Sequence, residues 1–251
     1  MPFWTVLRRE LARFWSIKRQ TILGPLLETA LYIGIFGAAL GSRINSLDGH
    51  PYIVYIIPGL LMMSFAMNVF SNNASSIMQQ KIQRSIDDQL TSPVGNTSLF
   101  MAYALGGIVR ASVIASIIMA TSYIMIKDLP LVHPILFILS LALIGFFFAM
   151  LGVFVGLRSE KFDDLSLYQT FILQPLIFLG GVFYSASLLP PLFATLTKFD
   201  PIYYMINMVR YSMLGKADIH MTTAILVVGL AGLALFYINY ILFNKGYKLR
   251  S

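Results

Sequence analysis

Cysteine is absent from this chain. That excludes disulfides, thiolate metal sites and cysteine nucleophiles, and it leaves the redox compartment undetermined. Charge is scarce as well: Asp, Glu, Lys and Arg make up 12% of 251 residues, against about 25% in ordinary soluble domains. No GxxxxGK[ST] segment occurs, so the chain has no phosphate-cradling loop with which to hydrolyse ATP by that route. HExxH, GxSxG and carboxylate-rich metal motifs are missing too. His50, His133 and His220 fall singly in three separate connections and read as solvated or interfacial groups. Nothing here supplies a catalytic centre.

What is present is apolar. Hydrophobic residues are 57% of the chain, and four stretches carry no Asp, Glu, Lys or Arg: 49–80, 129–157, 165–197 and 219–244. Each exceeds the ~20 apolar residues that a helix needs to cross a bilayer. Two more apolar runs, near 22–42 and 100–126, are each interrupted by one charge, Glu28 and Arg110. The expected fold is all-α: a single polytopic membrane domain over 1–251. Its spans are placed at about 22–42, 52–73, 99–126, 134–157, 165–184 and 221–243. The basic N-terminal region is long and amphipathic and no convincing cleavage site follows, so the first apolar run reads as a retained span rather than a signal peptide.

The net charge of +7 reads as a topology signal before it reads as affinity for nucleic acid. On one side of the six spans, residues 1–21, 74–98, 158–164 and 244–251 hold twelve Lys and Arg. The other side holds five: Arg43, Lys127, Lys198, Arg210 and Lys216. The richer side is expected in the cytoplasm, with both termini.

Three segments outside the spans carry pattern. Residues 3–18 read as an amphipathic helix on the membrane surface, with Phe3, Leu7, Leu11 and Phe14 on one face, Trp4 and Trp15 beside them, and Arg8, Arg9 and Arg13 as head-group anchors. Residues 77–92 read as a short cytoplasmic helix in which Met78, Ile82, Ile86 and Leu90 repeat every four residues. Arg84, Asp87 and Asp88 occupy its other faces, and Pro93 and Gly95 end it. Residues 185–215 are apolar but broken at Pro190, Pro191 and Pro201, after Gly180-Gly181. They read as re-entrant or interfacial half-helices on the outer side, which at membrane depth need protein or a cavity beside them. Tyr184, Tyr203, Tyr204 and Tyr211 suit a seal there, with rings packed and hydroxyls in water.

Glu28 and Arg110 lie at hydrocarbon depth, where a charge costs at least ~2.5 kcal/mol and seeks a partner. From their positions along spans 1 and 3 the two could meet near the inner leaflet. The Gly37/Gly41 and Gly152/Gly156 pairs permit close helix approach, more plausibly within one subunit than between two.

From residue 145 onward, Gly152, Gly156, Leu157-Arg158-Ser159, Phe162-Asp163-Asp164, Pro175, Leu179-Gly180-Gly181-Val182-Phe183-Tyr184-Ser185 and Leu189-Pro190-Pro191 follow in order. Asp200-Pro201-Ile202-Tyr203-Tyr204, Arg210-Tyr211 and Gly215 come next. Pro58-Gly59, Gly106-Gly107 and Arg110 lie upstream. This series resembles the membrane subunits of ABC-2 type bacterial exporters, in which the residue before Pro201 is usually Asn. The resemblance implies a homodimer of six-span subunits in the bacterial inner membrane, docked to two copies of a separate ATPase. That partner would hold ATP and Mg2+, and this chain would bind no cofactor of its own. It also implies an interface helix at 3–18 and an ATPase-coupling helix carrying Ile82, Arg84, Ile86, Asp87 and Leu90. Relatives move lipid-linked glycans, lipo-oligosaccharides and amphipathic drugs. A lipid head-group enzyme and an ion-coupled secondary transporter are the rival readings. The first is disfavoured because Asp87-Asp88 and Asp163-Asp164 lack the further acids of a two-metal site. The second is disfavoured because Glu28 is the only intramembrane carboxylate.

Overall fold

The computed structural model describes residues 2–16, 18–39, 41, 46–47, 49–83, 95–126 and 129–245. Ten α-helices, a π-turn, a 3-10 turn and a minimal hairpin lie among these residues. Helix α1 is Pro2–Ser16, α2 is Lys18–Ala39, α3 is Tyr52–Ile82, α4 is Asn96–Met125 and α5 is Pro134–Arg158. A broken helical stretch follows, with α6 at Phe162–Leu167, a π-helix at Tyr168–Leu173 and α7 at Gln174–Leu179. After a 3-10 turn at Ala186–Leu188 come α8 (Pro191–Phe199), α9 (Pro201–Leu214) and α10 (Met221–Asn244). Strands β1 (Ser46–Leu47) and β2 (His50–Pro51) pair antiparallel around Gly49, whose φ of 84° suits the turn.

Four of the described helices are long and apolar enough to cross a membrane: α3, α4, α5 and α10. The apolar part of α2, Ile22–Gly37, is shorter. Helix α3 is the axis of the fold and packs against α2, α4, α5 and α9. Two glycines of α5 set its approach to α3. A Cβ at Gly152 would stand 2.7 Å from the Phe70 carbonyl oxygen, and one at Gly156 would stand 2.7 Å from that of Ala74. This pair therefore packs helices within the subunit. Helix α10 joins α5 through Asn239, whose amide donates to the Met150 carbonyl at 2.8 Å, and meets α4 through Phe100 and Phe236, 5.4 Å between centroids.

Local sequence explains the element ends. Pro134, Pro191 and Pro201 stand at helix starts, where a missing N–H costs nothing. Asp200 caps α9 by accepting from the Ile202 N–H at 2.9 Å, and Gly215 ends it at φ 73°. The last carbonyls of α9 accept from the backbone N–H groups of Val132 (to Met213, 3.1 Å) and His133 (to Ser212, 2.8 Å). These bonds tie the α4–α5 connection to the same end of the molecule.

Two boundaries differ from the sequence reading. The helix of the second span does not stop at 73: α3 continues to Ile82. No Gly or Pro interrupts 74–82, and Ile77 and Met78 continue the buried packing. Its 31 residues reach about 46 Å, well past a ~30 Å hydrocarbon layer. The first part of the expected 77–92 helix is thus the end of α3, and Arg84, Ile86, Asp87 and Leu90 lie outside the described residues. The fifth apolar run is helical from Phe162 to Leu179 but interrupted by the π-turn, and it ends at Gly180 rather than 184.

Candidate functional site

Three polar sites line up along α3. At its C-terminal half, α1 docks onto α3 and α4 through charge. Glu10 is 4% exposed and pairs with Arg13 at 3.0 Å. Its carboxylate also accepts from the Ser76 hydroxyl at 2.7 Å. Arg13 donates to Asn72 at 3.1 Å, to Gln79 at 3.2 Å and to Ser76. Arg110 reaches the same Asn72 oxygen from α4 at 2.7 Å, and Arg9 donates to the Tyr103 hydroxyl at 2.7 Å. Glycine at 106 lets Glu10 in, since a Cβ there would stand 2.8 Å from the glutamate's own Cβ. A short distance on, the Lys81 ammonium donates to the carbonyls of Leu157 and Ser159 at 2.8 and 2.7 Å. That contact neutralises the C-terminal end of α5.

Half-way along, a cavity of about 140 Å³ opens between α2, α3 and the π-interrupted helix. Its polar lining is Glu28, Ser64, Asn68, Gln169 and Gln174, and its apolar lining is Tyr32, Met63, Met67, Ile177 and Phe178. Rings continue from it toward the turn after α7: Tyr32 to Phe183 at 5.6 Å, Phe36 stacked on Phe183 at 4.6 Å, and Phe178 stacked on Phe183 at 5.8 Å.

At the N-terminal half of α3, the chain turns sharply after α7 at Gly180-Gly181. Gly181 sits at φ 90°, a conformation that favours glycine. The turn lies on α3 so closely that a Cβ on Gly59 would stand 2.7 Å from the Val182 carbonyl oxygen. Its exposed carbonyls are satisfied by side chains, as a helix end inside protein requires. Arg210 donates to Gly181 at 2.8 Å, the one Tyr184 hydroxyl proton is shared between the Phe178 and Leu179 carbonyls at 2.8 and 3.1 Å, and Tyr52 donates to Phe183 at 3.2 Å. Beyond the turn, Ser185 and the Ala186 N–H both donate to Asp218.

The ABC-2 type transporter family matches this chain over residues 1–214. The chain belongs to that family. The inner membrane transport permease YadH of Escherichia coli K12 is 37% identical to it, over 99% of this chain and 98% of that protein. Nodulation protein J of Rhizobium meliloti is 25% identical over 86% of this chain and 82% of its own length. Nodulation protein J of Rhizobium leguminosarum bv. viciae is 24% identical over 84% and 82%.

As an ABC-2 permease subunit, the chain is an integral membrane transport protein, and its expected site residues fall as follows. Gly180, Gly181, Tyr184 and Arg210 meet at one turn. Pro190, Pro191 and Pro201 break the 185–215 segment into α8 and α9, with Tyr203 and Tyr204 in edge contact at 5.5 Å. Tyr204 donates to the Lys198 carbonyl at 2.9 Å. Glu28 and Arg110 are not brought together: Arg110 serves the α1 docking site, whereas Glu28 lies in the cavity and makes no hydrogen bond or ion pair among the described residues. Helix α1 also differs from a helix held by lipid alone. Leu7, Glu10 and Phe14 are buried in protein, while Trp4 and Trp15, 64% and 66% exposed, point away with Arg8. Sequence reasoning overlooked Glu10. The signal was available, because Phe3, Leu7, Glu10 and Phe14 follow helical spacing and place an acid inside an apolar stripe.

Proposed function

We propose that this permease is the transmembrane subunit of an ATP-driven exporter, moving an amphipathic or lipid-linked compound out across the bacterial cytoplasmic membrane. It works as a homodimer with two copies of a separate ATPase, which holds ATP and Mg2+. Both termini and the 84–94 connection face the cytoplasm. Six spans cross the bilayer, the first and fifth being α2 and the 162–179 stretch, and the 185–215 segment forms the outer closure.

The continuity of α3 carries this reading. One helix bears the docking site of α1 (Asn72, Ser76, Gln79), a wall of the mid-helix cavity (Met63, Ser64, Met67, Asn68) and the seat of the outer turn (Tyr52, Tyr55, Gly59). A displacement applied at its C-terminal end, where Ile82 is exposed and the 84–94 connection begins, is passed along the helix to the cavity with no Pro or Gly between, and on to the turn through Pro58-Gly59. Nucleotide-driven closure of the partner ATPases delivers that displacement through Ile82, Arg84, Ile86, Asp87 and Leu90. The cycle is alternating access, and the bond-breaking chemistry stays in the partner.

The experiment is purification of the tagged chain with whatever ATPase accompanies it, followed by ATP turnover in proteoliposomes. Ile86→Asp should leave the permease in the membrane while ATPase retention and permease-dependent turnover fall at least several-fold. Absence of any associated ATPase, or full retention and turnover in the variant, would overturn the reading.

A further inference from the structure

We propose that the cavity at Glu28 is the head-group subsite for an amphipathic organic cation; this rests on the exporter reading and adds to it the charge class of the substrate. Glu28 lies six residues beyond Ile22, where the apolar part of α2 begins, about 9 Å of rise. That is hydrocarbon depth near one leaflet, where an ionisable side chain faces protein or a water-filled path and finds a counter-charge. Among the described residues no such counter-charge lines this cavity. Its residues include no Lys, Arg or His, and Arg110 is committed to Asn72 elsewhere.

The remaining polar groups are also available to a ligand. Asn68 uses its amide N–H on the Ser64 carbonyl at 2.9 Å, which leaves its oxygen. The side-chain amides of Gln169 and Gln174 make no hydrogen bond among the described residues. The π-turn explains why both line one cavity. In an α-helix, residues five apart stand about 140° apart around the axis. Here the Gln174 N–H bonds back to the Gln169 carbonyl, and the wider turn swings the two side chains toward one side. Such single π-turns concentrate at functional sites.

The walls choose among ligand classes. An anion would meet an uncompensated carboxylate. A neutral glycan head could use the amides but would leave that charge unpaired at hydrocarbon depth, which is costly. A cation satisfies Glu28 and is also drawn to the faces of Tyr32 and Phe178 and the rings beyond them. Met63 and Met67 offer a deformable apolar wall. At about 140 Å³ the space is smaller than the roughly 300–1,000 Å³ of a whole-ligand pocket. It holds a head group while the apolar remainder extends out of its open side.

The absence of cysteine provides the test. In the full-length chain in nanodiscs, Gln174→Cys is a single reactive thiol in the cavity, and Leu230→Cys on the exposed side of α10 is the comparison. Maleimide labelling is followed with dodecyltrimethylammonium, dodecyl sulfate or dodecyl maltoside below their micellar concentrations. The cation should slow labelling at 174 about tenfold, the sulfate and maltoside should not, and position 230 should respond to none of them. Adding Glu28→Gln should abolish the protection, and Glu28→Asp should restore part of it. Equal effects of all three amphiphiles, protection by the maltoside or sulfate alone, no labelling at 174, or protection surviving Glu28→Gln would each overturn the proposal. The three-amphiphile comparison stands without the Glu28 variants should these fold poorly. Loss of the cation effect leaves the exporter reading intact, and absence of a copurifying ATPase leaves the binding result intact.

Discussion

The Arg210 guanidinium lies 4.1 Å from the centre of the Tyr55 ring and donates 2.8 Å to the Gly181 carbonyl. One side chain thus fastens three elements: α9, α3 and the turn that ends α7. It is 2% exposed, so the charge is balanced by ring and carbonyl rather than by water. Arg210→Ala should lower stability by about 3–5 kcal/mol, combining a cavity, a lost ring contact and an unsatisfied carbonyl. Arg210→Lys should recover less than half of that, because an ammonium cannot lie flat on the ring while reaching Gly181. Thermal unfolding in detergent measures both, and an unchanged midpoint for the alanine variant would remove Arg210 from this fastening role.

Glu10 and Arg13 give a second prediction, because they carry the docking of α1. Glu10→Gln keeps the shape but leaves the Arg13 guanidinium without its carboxylate. The expected loss is about 1–3 kcal/mol, below the value for a wholly buried pair because Arg13 retains some exposure. Arg13→Gln should cost a similar amount, and the double variant less than the sum. A thermodynamic cycle checks this, with strict additivity showing that the two side chains do not couple.

Much of this was legible in advance, and the remainder for definite reasons was not. Charge-free runs locate α3, α5 and α10 because burying a charge in hydrocarbon is costly whatever the tertiary detail. Gly180-Gly181 and the three prolines mark breaks by local backbone chemistry alone. The partner of Gly181, however, is Arg210, 29 residues on, and no local rule links them. Glu28 and Arg110 look like a pair when only depth is considered, but Asn72 intervenes and holds Arg110. The π-turn has no local signature, so the convergence of Gln169 and Gln174 was hidden. The length of α3 escapes a hydropathy reading because residues 74–82 turn polar, although nothing between 74 and 82 breaks the chain.

Asp200 yields a pH prediction. One carboxylate oxygen caps α9, the other is buried without a hydrogen-bond partner, and burial raises the carboxyl from 3.8 to about 6 while the Ile202 N–H pulls the other way. A raised acid favours the folded state when protonated. Its contribution is full below about pH 4 and is lost as pH rises through about 6. Asp200→Asn keeps the capping acceptor and removes the buried charge, so it should stabilise the protein by about 1–3 kcal/mol at neutral pH, with the advantage vanishing near pH 4. Melting midpoints of both proteins from about pH 4 to 8 test this. A constant difference across that range would show that Asp200 does not titrate there.

The last prediction concerns α8. Leu192, Phe193, Leu196 and Phe199 are all exposed, Phe199 to 82%, on a short helix between Pro190-Pro191 and Asp200-Pro201. The Thr197 hydroxyl, which donates to the Phe193 carbonyl of its own helix at 2.8 Å, also lies 3.3 Å from the Leu179 carbonyl at the end of α7. An apolar face of this kind is either sunk in lipid or covered by protein. If the outer segment closes the exit path of a dimer, two copies of α8 approach one another and their separation follows the transport cycle. Single cysteines at Leu192 and Leu196 should then cross-link between copies, with yields changing several-fold between resting and ATP-turnover conditions. A lipid anchor would instead show hydrophobic labelling at both positions and no cross-link dependent on turnover. That outcome would leave α8 a membrane anchor and move the gate to another element, while the fastening of Gly181 by Arg210 would stand unchanged.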